Sequence, residues 1–472
     1  MIVLNGHWLV KVILTHRPAN RTAAGLVADR YNCDNRPSGS FASLIWGFIL
    51  HPVSHQHHTT YVHDDTACEE CDLLIPATPL AVGEASHCPR CGHTLSQHLP
   101  QQELRPISYG FAALIMFVLS NSFTFMSFSA KGIGQEMTFL QCISTLVDEG
   151  YLFLSAVLSI TLIGLPLVYI GSIMLVLWRL DKDLHSHALR SLGRLLCRIK
   201  PWLMVDVFLV GVLISLVKLM GMADIQMGLS FWAFVGYTIL LIKTISSLDR
   251  MWLWQRLFGP TEQRELDPEA GAMASGLVGC HICGALSDAG SHSCQRCGGK
   301  LHARKPGGLN RTWALLITSA ILYIPANVYP IMDTVFLGDD SPSTILGGVV
   351  LLWAMGSYPI AAVIFFASVV VPLVKILALF WLCYMVQSGH AESPLGKLKL
   401  YRMTEFVGRW SMIDVFVVAI LAGLIRLDNL MTIYPGPAAV AFAGVVLITM
   451  VAAMSFDSRL IWDLQQGERE RE

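Results

Sequence analysis

KPWLMVDVFLVGVLISLVKL, residues 200–219, lies over GRWSMIDVFVVAILAGLIRL, residues 408–427, at a shift of 208. Trp202 and Trp410, Met204 and Met412, Asp206 and Asp414, Phe208 and Phe416, and Lys218 and Arg426 coincide. Each stretch is close to the ~20 apolar residues a helix needs to cross a bilayer. At a shift of 206, LPLV (165–168) falls on VPLV (371–374), Asn121 on Asn327, Met126 on Met332 and Gly150 on Gly356. Duplication is the economical explanation, and it predicts two copies of one membrane unit.

Composition agrees. Only 14% of the 472 residues are charged and 54% are hydrophobic, against roughly 25% charged in an average soluble domain. A net charge of -1 provides no basic field for nucleic acid. Apolar stretches near 107–128, 151–178, 202–221, 230–248, 312–332, 351–386, 410–427 and 437–456 predict eight crossings. Lys and Arg gather in 179–201 and 387–409, while 222–229, 333–350 and 428–436 have none and 129–150 has only Lys131. By the positive-inside rule the first two segments are cytosolic loops and the other four external. Both termini are then cytosolic, and repeats with an even number of crossings are related by an axis along the membrane normal.

Eight of the twelve cysteines form four CxxC pairs: Cys68/Cys71 with Cys88/Cys91, and Cys280/Cys283 with Cys294/Cys297. Two knuckles that each present two thiolates close a tetrahedral sulfur site suited to Zn²⁺. Each cluster precedes one block of apolar helices, so each reads as a cytosolic zinc ribbon. Four thiolates leave no open position for a catalytic water, and the sites are expected to be structural. The alternatives are thiol redox exchange or sensing and rubredoxin-like iron.

Ionisable residues inside apolar runs are costly and mark polar paths or pairings. Asp206 and Asp414 lie four residues inside their helices. Lys218 and Arg426 follow them by twelve residues, too far around the helix to pair with them, and are expected to snorkel to the external interface or meet a lipid phosphate. Lys375 follows Pro372 by three residues in VVPLVKILALFW, where Tyr169 stands in the first copy. Pro372 strips the Ser368 carbonyl of its helical partner, so kink and charge together could line a cavity, with Asp414 as the counterion. No phosphate loop, nucleophile elbow or HExxH helix is present, and the chain is not expected to be an enzyme.

The combination CEECDLLIP…CPRCG, CHICGAL…CQRCG, YIPANVYPIM, VVPLVKI, GRWSMIDVFVVAIL and FDSRLIWD resembles the paraquat-inducible protein A (PqiA/LetA) family over roughly residues 66–463. The resemblance implies an inner-membrane protein that works with a periplasmic MCE-domain partner forming a tunnel, together moving lipids between the inner and outer membranes. It places zinc on the eight paired cysteines and makes Lys375 and Asp414 candidates for a coupling network. SNSFTFM (120–126) departs from PANVYPIM, which leaves the first half's role open.

The expected fold is therefore an all-α polytopic membrane protein with two tandem four-helix modules. Its parts are a leader (1–60), disordered or from a start placed too far upstream; a first zinc ribbon (61–100); module 1 (101–258); a linker and second ribbon (259–305); module 2 (306–463); and a charged cytosolic tail (464–472). The leading expectation is a lipid-handling subunit. The alternatives are a membrane thiol oxidoreductase or redox sensor and a passive scaffold for the tunnel.

Overall fold

The structure is a computed structural model. It describes residues 60–130, 133–179, 187–219, 224–267, 270–336, 339–354, 356, 358–389, 393–424, 426–427 and 431–469. The expected leader, up to residue 59, lies outside the described residues.

The chain opens with six short strands around the first cysteine cluster, β1 (Thr60–Val62), β2 (Thr66–Ala67), β3 (Leu74–Ile75), β4 (Pro79–Ala81), β5 (Ala85–His87) and β6 (Thr94–Gln97), paired β1–β4, β2–β3 and β5–β6. Helix α1 (Leu104–Ser122) follows, then the hairpin β7 (Met126–Ala130) and β8 (Ile133–Met137), and α2 (Phe139–Asp148). A capping box starts α2: the Gln141 amide donates to Thr138 Oγ1 at 3.3 Å and the Thr138 amide to Gln141 Oε1 at 2.8 Å. Next come α3 (Leu152–Leu158), a π-helical turn at Ser159–Gly164, α4 (Leu165–Arg179), α5 (His187–Ile199), α6 (Val205–Leu219), β9 (Asp224–Met227), α7 (Leu229–Ser246) and α8 (Arg250–Phe258).

The same order then runs again. After β10 (Leu277–Gly279) and β11 (Leu286–Asp288) come α9 (Gly308–Val328), the hairpin β12 (Met332–Phe336) and β13 (Asp339–Ser343), α10 (Ile345–Ala354), α11 (Tyr358–Phe365), a π-helical turn at Phe366–Val370 and α12 (Val371–Gln387). The chain continues through α13 (Pro394–Trp410), α14 (Ile413–Leu424), β14 (Arg426–Leu427), β15 (Met431–Pro435), α15 (Pro437–Ser455) and α16 (Leu460–Arg469). The two π turns sit just before Pro166 and Pro372. Proline lacks an N–H and its ring crowds the preceding turn, and a one-residue widening of the helix relieves both.

By length and composition, six described helical segments can cross a membrane: Leu104–Ser122, Leu152–Arg179, His187–Leu216, Leu229–Ser246, Ala361–Gln387 and Pro437–Ser455. The expected spans 312–332 and 410–427 are not among them. Asn310, Arg311, Thr312 and Asn327 dilute α9, and α14 has only 12 residues.

The described chain is mostly helical, with small sheets besides. The segments expected as external loops carry two small antiparallel sheets, ordered β8-β7-β9 and β13-β12-β15-β14. Hairpins satisfy the backbone groups that a bare loop would leave to solvent. Behind them Gly228 and Gly436 pass so close to a neighbouring chain segment that a Cβ would fall on the Thr124 and Pro330 carbonyls. The cation-rich segments expected as loops contain α5 and α13 instead.

Inside the bundle α1 packs along α7 and α9 along α15, and the halves meet chiefly where α6 crosses α14. Gly211 allows that approach: a Cβ there would lie 3.3 Å from Phe416 Cβ. Phe139, Phe208, Phe234, Val212, Phe416, Ala419 and Phe442 share the central apolar core.

Candidate functional site: two four-cysteine centres and a buried lysine

Two features can carry chemistry; the first is built from parts that the two halves place at matching positions, the second stands in the second half alone. The first is the pair of cysteine clusters. Cys68, Cys71, Cys88 and Cys91 are all buried with their sulfurs within 4.8 Å of one another, as are Cys280, Cys283, Cys294 and Cys297. The closest Sγ–Sγ approaches are 3.4 Å and 3.5 Å, near the ~3.8 Å edge of a tetrahedron around a zinc with bonds of about 2.3 Å.

Each knuckle folds back by a pair of amide bonds. The Cys68 amide donates to the Leu73 carbonyl and Asp72 to Cys68, with the same pattern at Cys88, Cys280 and Cys294. The residue closing each turn has positive φ: Gly92 (70°), Gly284 (76°), Gly298 (67°) and, exceptionally, Asp72 (63°). Asp72 bears that strain while its carboxylate accepts from Arg304 at 2.9 Å and its Oδ1 lies 3.6 Å from Arg459. Donor set, burial and closure all fit a divalent metal bound through thiolates.

The ribbons cross over. Ribbon 1, which precedes the first set of helices, packs its cysteines with Leu379, Leu382, Cys383, Tyr401, Phe456 and Trp462 of the second. Arg402 Nη2 donates to the Cys91 carbonyl at 2.9 Å and pairs with Glu70, and the Arg90 guanidinium lies 5.5 Å above the Trp462 ring. Ribbon 2 packs instead on Trp254. There Arg194 donates to the Gly298 carbonyl at 3.1 Å, and Arg296 Nε to the Trp254 carbonyl at 3.3 Å.

Arg194 and Arg402, and Trp254 and Trp462, are each 208 residues apart; Arg90 and Arg296 are 206 apart. The ribbons also hold each other, through a buried Arg296–Asp64 pair at 2.6 Å and a bond from Thr66 Oγ1 to the Gly284 carbonyl. Burial pushes the Glu70 carboxyl up, but hydrogen bonds and charge from His93 and Arg402 more than reverse it, leaving it below its usual value.

Each ribbon is tied to its own half by an aspartate. Asp249 accepts from the Gln97 amide at 3.0 Å, and Asp457 from the Lys305 amide at 3.0 Å. Asp457 is also gripped by Arg459.

The second feature is Lys375. It is 2% exposed, in a segment apolar enough to span a membrane, and its ammonium has no hydrogen-bond partner among the described residues. The Nζ atom faces α13 at Gly408, where a Cβ would come within 2.8 Å of it. The expected direct pair with Asp414 is therefore not formed. Asp414 is half-buried on α14, and Asp206 is exposed at the start of α6.

The carbonyl served near the kink is that of Val369, which accepts from the Tyr323 hydroxyl at 3.1 Å, rather than that of Ser368. Lys218 ends α6, with its side chain outside the described residues. Helix α14 stops at Leu424 and Arg426 begins a strand, with its side chain likewise outside the described residues. Sequence reasoning passed over Gly408 and Ser411, whose buried hydroxyl also has no partner among the described residues. The signal available was the small polar Gly-x-x-Ser step that leads into Asp414.

Among known proteins, the family model for paraquat-inducible protein A matches this chain twice, over residues 104–258 and 309–466. The chain is 41% identical over 419 residues to the intermembrane transport protein PqiA of Escherichia coli K12, covering 88% of this chain and 99% of that one. It is 29% identical over 411 residues to lipophilic envelope-spanning tunnel protein A of the same organism, covering 86% and 93%. A probable intermembrane transport protein of Haemophilus influenzae is 28% identical over 410 residues, covering 85% and 96%. No solved structure matches.

Proposed function

The chain belongs to the paraquat-inducible protein A family, and from that premise we propose that it is the inner-membrane subunit of an intermembrane lipid transport system. It moves phospholipid or a related amphiphile between the bilayer and a periplasmic tunnel built by an MCE-domain partner. The observation that carries the proposal is the near full-length likeness to relatives whose names describe intermembrane transport and an envelope-spanning tunnel rather than catalysis.

On this reading the chain is a tandem duplication with eight crossings, the six apolar segments plus α9 and α14. The recurring element order, the double family match and the matched Arg194/Arg402 and Trp254/Trp462 contacts support it. The ribbons and both termini face the cytosol, in line with the cations of α5 and α13. Zinc fills both four-cysteine groups. Each ribbon is followed by its own module, within the boundaries expected above.

Lipid extraction needs an apolar lateral path and a charge for the headgroup or for coupling to protons. Lys375, buried without a partner among the described residues, supplies the charge. Asp414, Asp206, Lys218 and Arg426 are the other members of the proposed polar network. A buried ammonium without a partner is costly and is kept where function needs it.

The test is complementation. In a strain deleted for this protein, the wild-type chain restores envelope integrity, whereas Lys375→Ala and Asp414→Asn do not when present at equal levels. Full restoration by both variants sinks the network.

A further inference from the structure

Ribbon 1 meets the helices around the lysine at more than one point. Arg402, which holds ribbon 1 at the Cys91 carbonyl, and Gly408, against which the Lys375 ammonium lies, are both on α13. Leu379, Leu382 and Cys383 of α12, the helix that carries Lys375, pack in the same cluster as the four ribbon 1 sulfurs. Ribbon 1 therefore touches both helices that enclose the lysine. In the other half Arg194 ties ribbon 2 to α5, but Tyr169 stands at the lysine position and Lys200 at the glycine position.

We propose that the closed four-cysteine centre of ribbon 1 clamps α13 against α12 and so sets the burial of Lys375, while ribbon 2 governs α5 and has no hold on that lysine. This rests on the metal reading of the four-cysteine groups. A zinc-like divalent cation fixes both knuckles at once, and the Cys91 carbonyl that Arg402 grips belongs to one of them. When the metal leaves, the carbonyl and Glu70 lose their fixed positions, and α13 loses its anchor at Arg402, six residues before Gly408. Metal supply on the ribbon side is thereby transmitted to the transport lysine through the ribbon that lies farther from it in the chain.

The experiment is hydrogen–deuterium exchange with mass spectrometry on full-length protein in detergent, with metal content measured on the same samples. Cys68→Ser/Cys71→Ser is expected to lose one of two bound metal ions and to exchange about tenfold faster or more at 371–387 and 394–410, with 187–199 unchanged. Cys280→Ser/Cys283→Ser is expected to speed exchange at 187–199 and leave 371–387 as in the wild type.

Faster exchange at 187–199 on loss of ribbon 1, equal effects from both variants, or no effect overturns the proposal. If the cysteine variants fail to accumulate, Arg402→Ala and Arg194→Ala, which keep all eight thiols, carry the same crossed expectation. Unchanged protection at 371–387 in Arg402→Ala overturns it. A metal-free wild type overturns the metal reading and the proposal together, whereas two metal ions with the wrong exchange pattern overturn the crossed link alone.

Discussion

Phe208 and Phe416, at the same position in the matching stretches of the two halves, meet edge to face with ring centroids 5.5 Å apart and planes at 77°. A residue that touches its own counterpart sits on a two-fold-like axis, as in an isologous interface. The α6–α14 crossing supports duplication for that reason.

Phe208→Ala and Phe416→Ala should each cost about 3–5 kcal/mol of stability. The double variant should cost less than the sum by roughly 0.5–1.5 kcal/mol, because the two rings lose one shared contact. Denaturation of the purified protein in detergent checks this, and strict additivity would show that the rings are not coupled.

Gly211 should not tolerate bulk. Alanine places its Cβ 3.3 Å from Phe416 Cβ, a contact that a small helix shift absorbs, whereas Gly211→Leu forces α6 off α14 at about 1–3 kcal/mol or more. A thermal midpoint lowered by leucine much more than by alanine is the expected result.

Asp249 and Asp457 hold matching places but differ in charge environment. Burial raises the Asp249 carboxyl above its usual value, with amide bonds only partly offsetting it. Burial also pushes Asp457 up, but hydrogen bonds and charge from Arg459 bring it down to about 2. A carboxylate with a depressed folded pKa stabilises above its unfolded value of about 3.9, and that contribution is lost as pH falls toward 2. Asp457→Asn should therefore cost about 3 kcal/mol near neutrality, since it removes the carboxylate beside buried Arg459. Its deficit should shrink below pH 4. Asp249→Asn should cost about 1 kcal/mol near neutrality, and its deficit should grow in acid, because a carboxyl with a raised folded pKa gains stability as it protonates. Thermal midpoints across pH 2–7 separate the two.

Removing metal should unfold the ribbons while the membrane helices stay helical, because the two four-cysteine cores are small and depend on closure. Metal analysis should find two zinc ions per chain, and one in a Cys280→Ser/Cys283→Ser variant. No metal together with reversible disulfides would favour the redox alternative.

Much of this organisation was legible in local patterns. The 208-residue shift announced the matching halves, CxxC spacing announced the four-cysteine groups, and Pro372 announced a kink, which takes the form of a π turn just before it. Helices α5 and α13 were hidden because their cations read as loop charge. In α5 the apolar stripe Leu189, Leu192, Leu196 and Ile199, with Arg190, Arg194 and Arg198 at four-residue steps, was the overlooked helical period. The sheets were missed because five-residue strands such as MSFSA and MDTVF have little pattern to read. The ribbon crossover was beyond any local pattern: Arg402 and Cys91 are 311 residues apart, and nothing near either one names the other. Lys375 is visible in sequence as a buried charge, but the pattern around it points to Asp414 as its neighbour, not Gly408.

The central proposal is that this chain moves membrane lipid between the bilayer and a periplasmic tunnel, and reconstitution tests it most directly. Zinc-loaded protein in liposomes carrying a fluorescent phospholipid would be mixed with the proposed MCE-domain partner, and lipid appearing on that protein followed over time. The account predicts transfer well above that from protein-free liposomes, and its loss with Lys375→Ala. Transfer no faster than from empty liposomes, with folded protein bound to the partner, would contradict it.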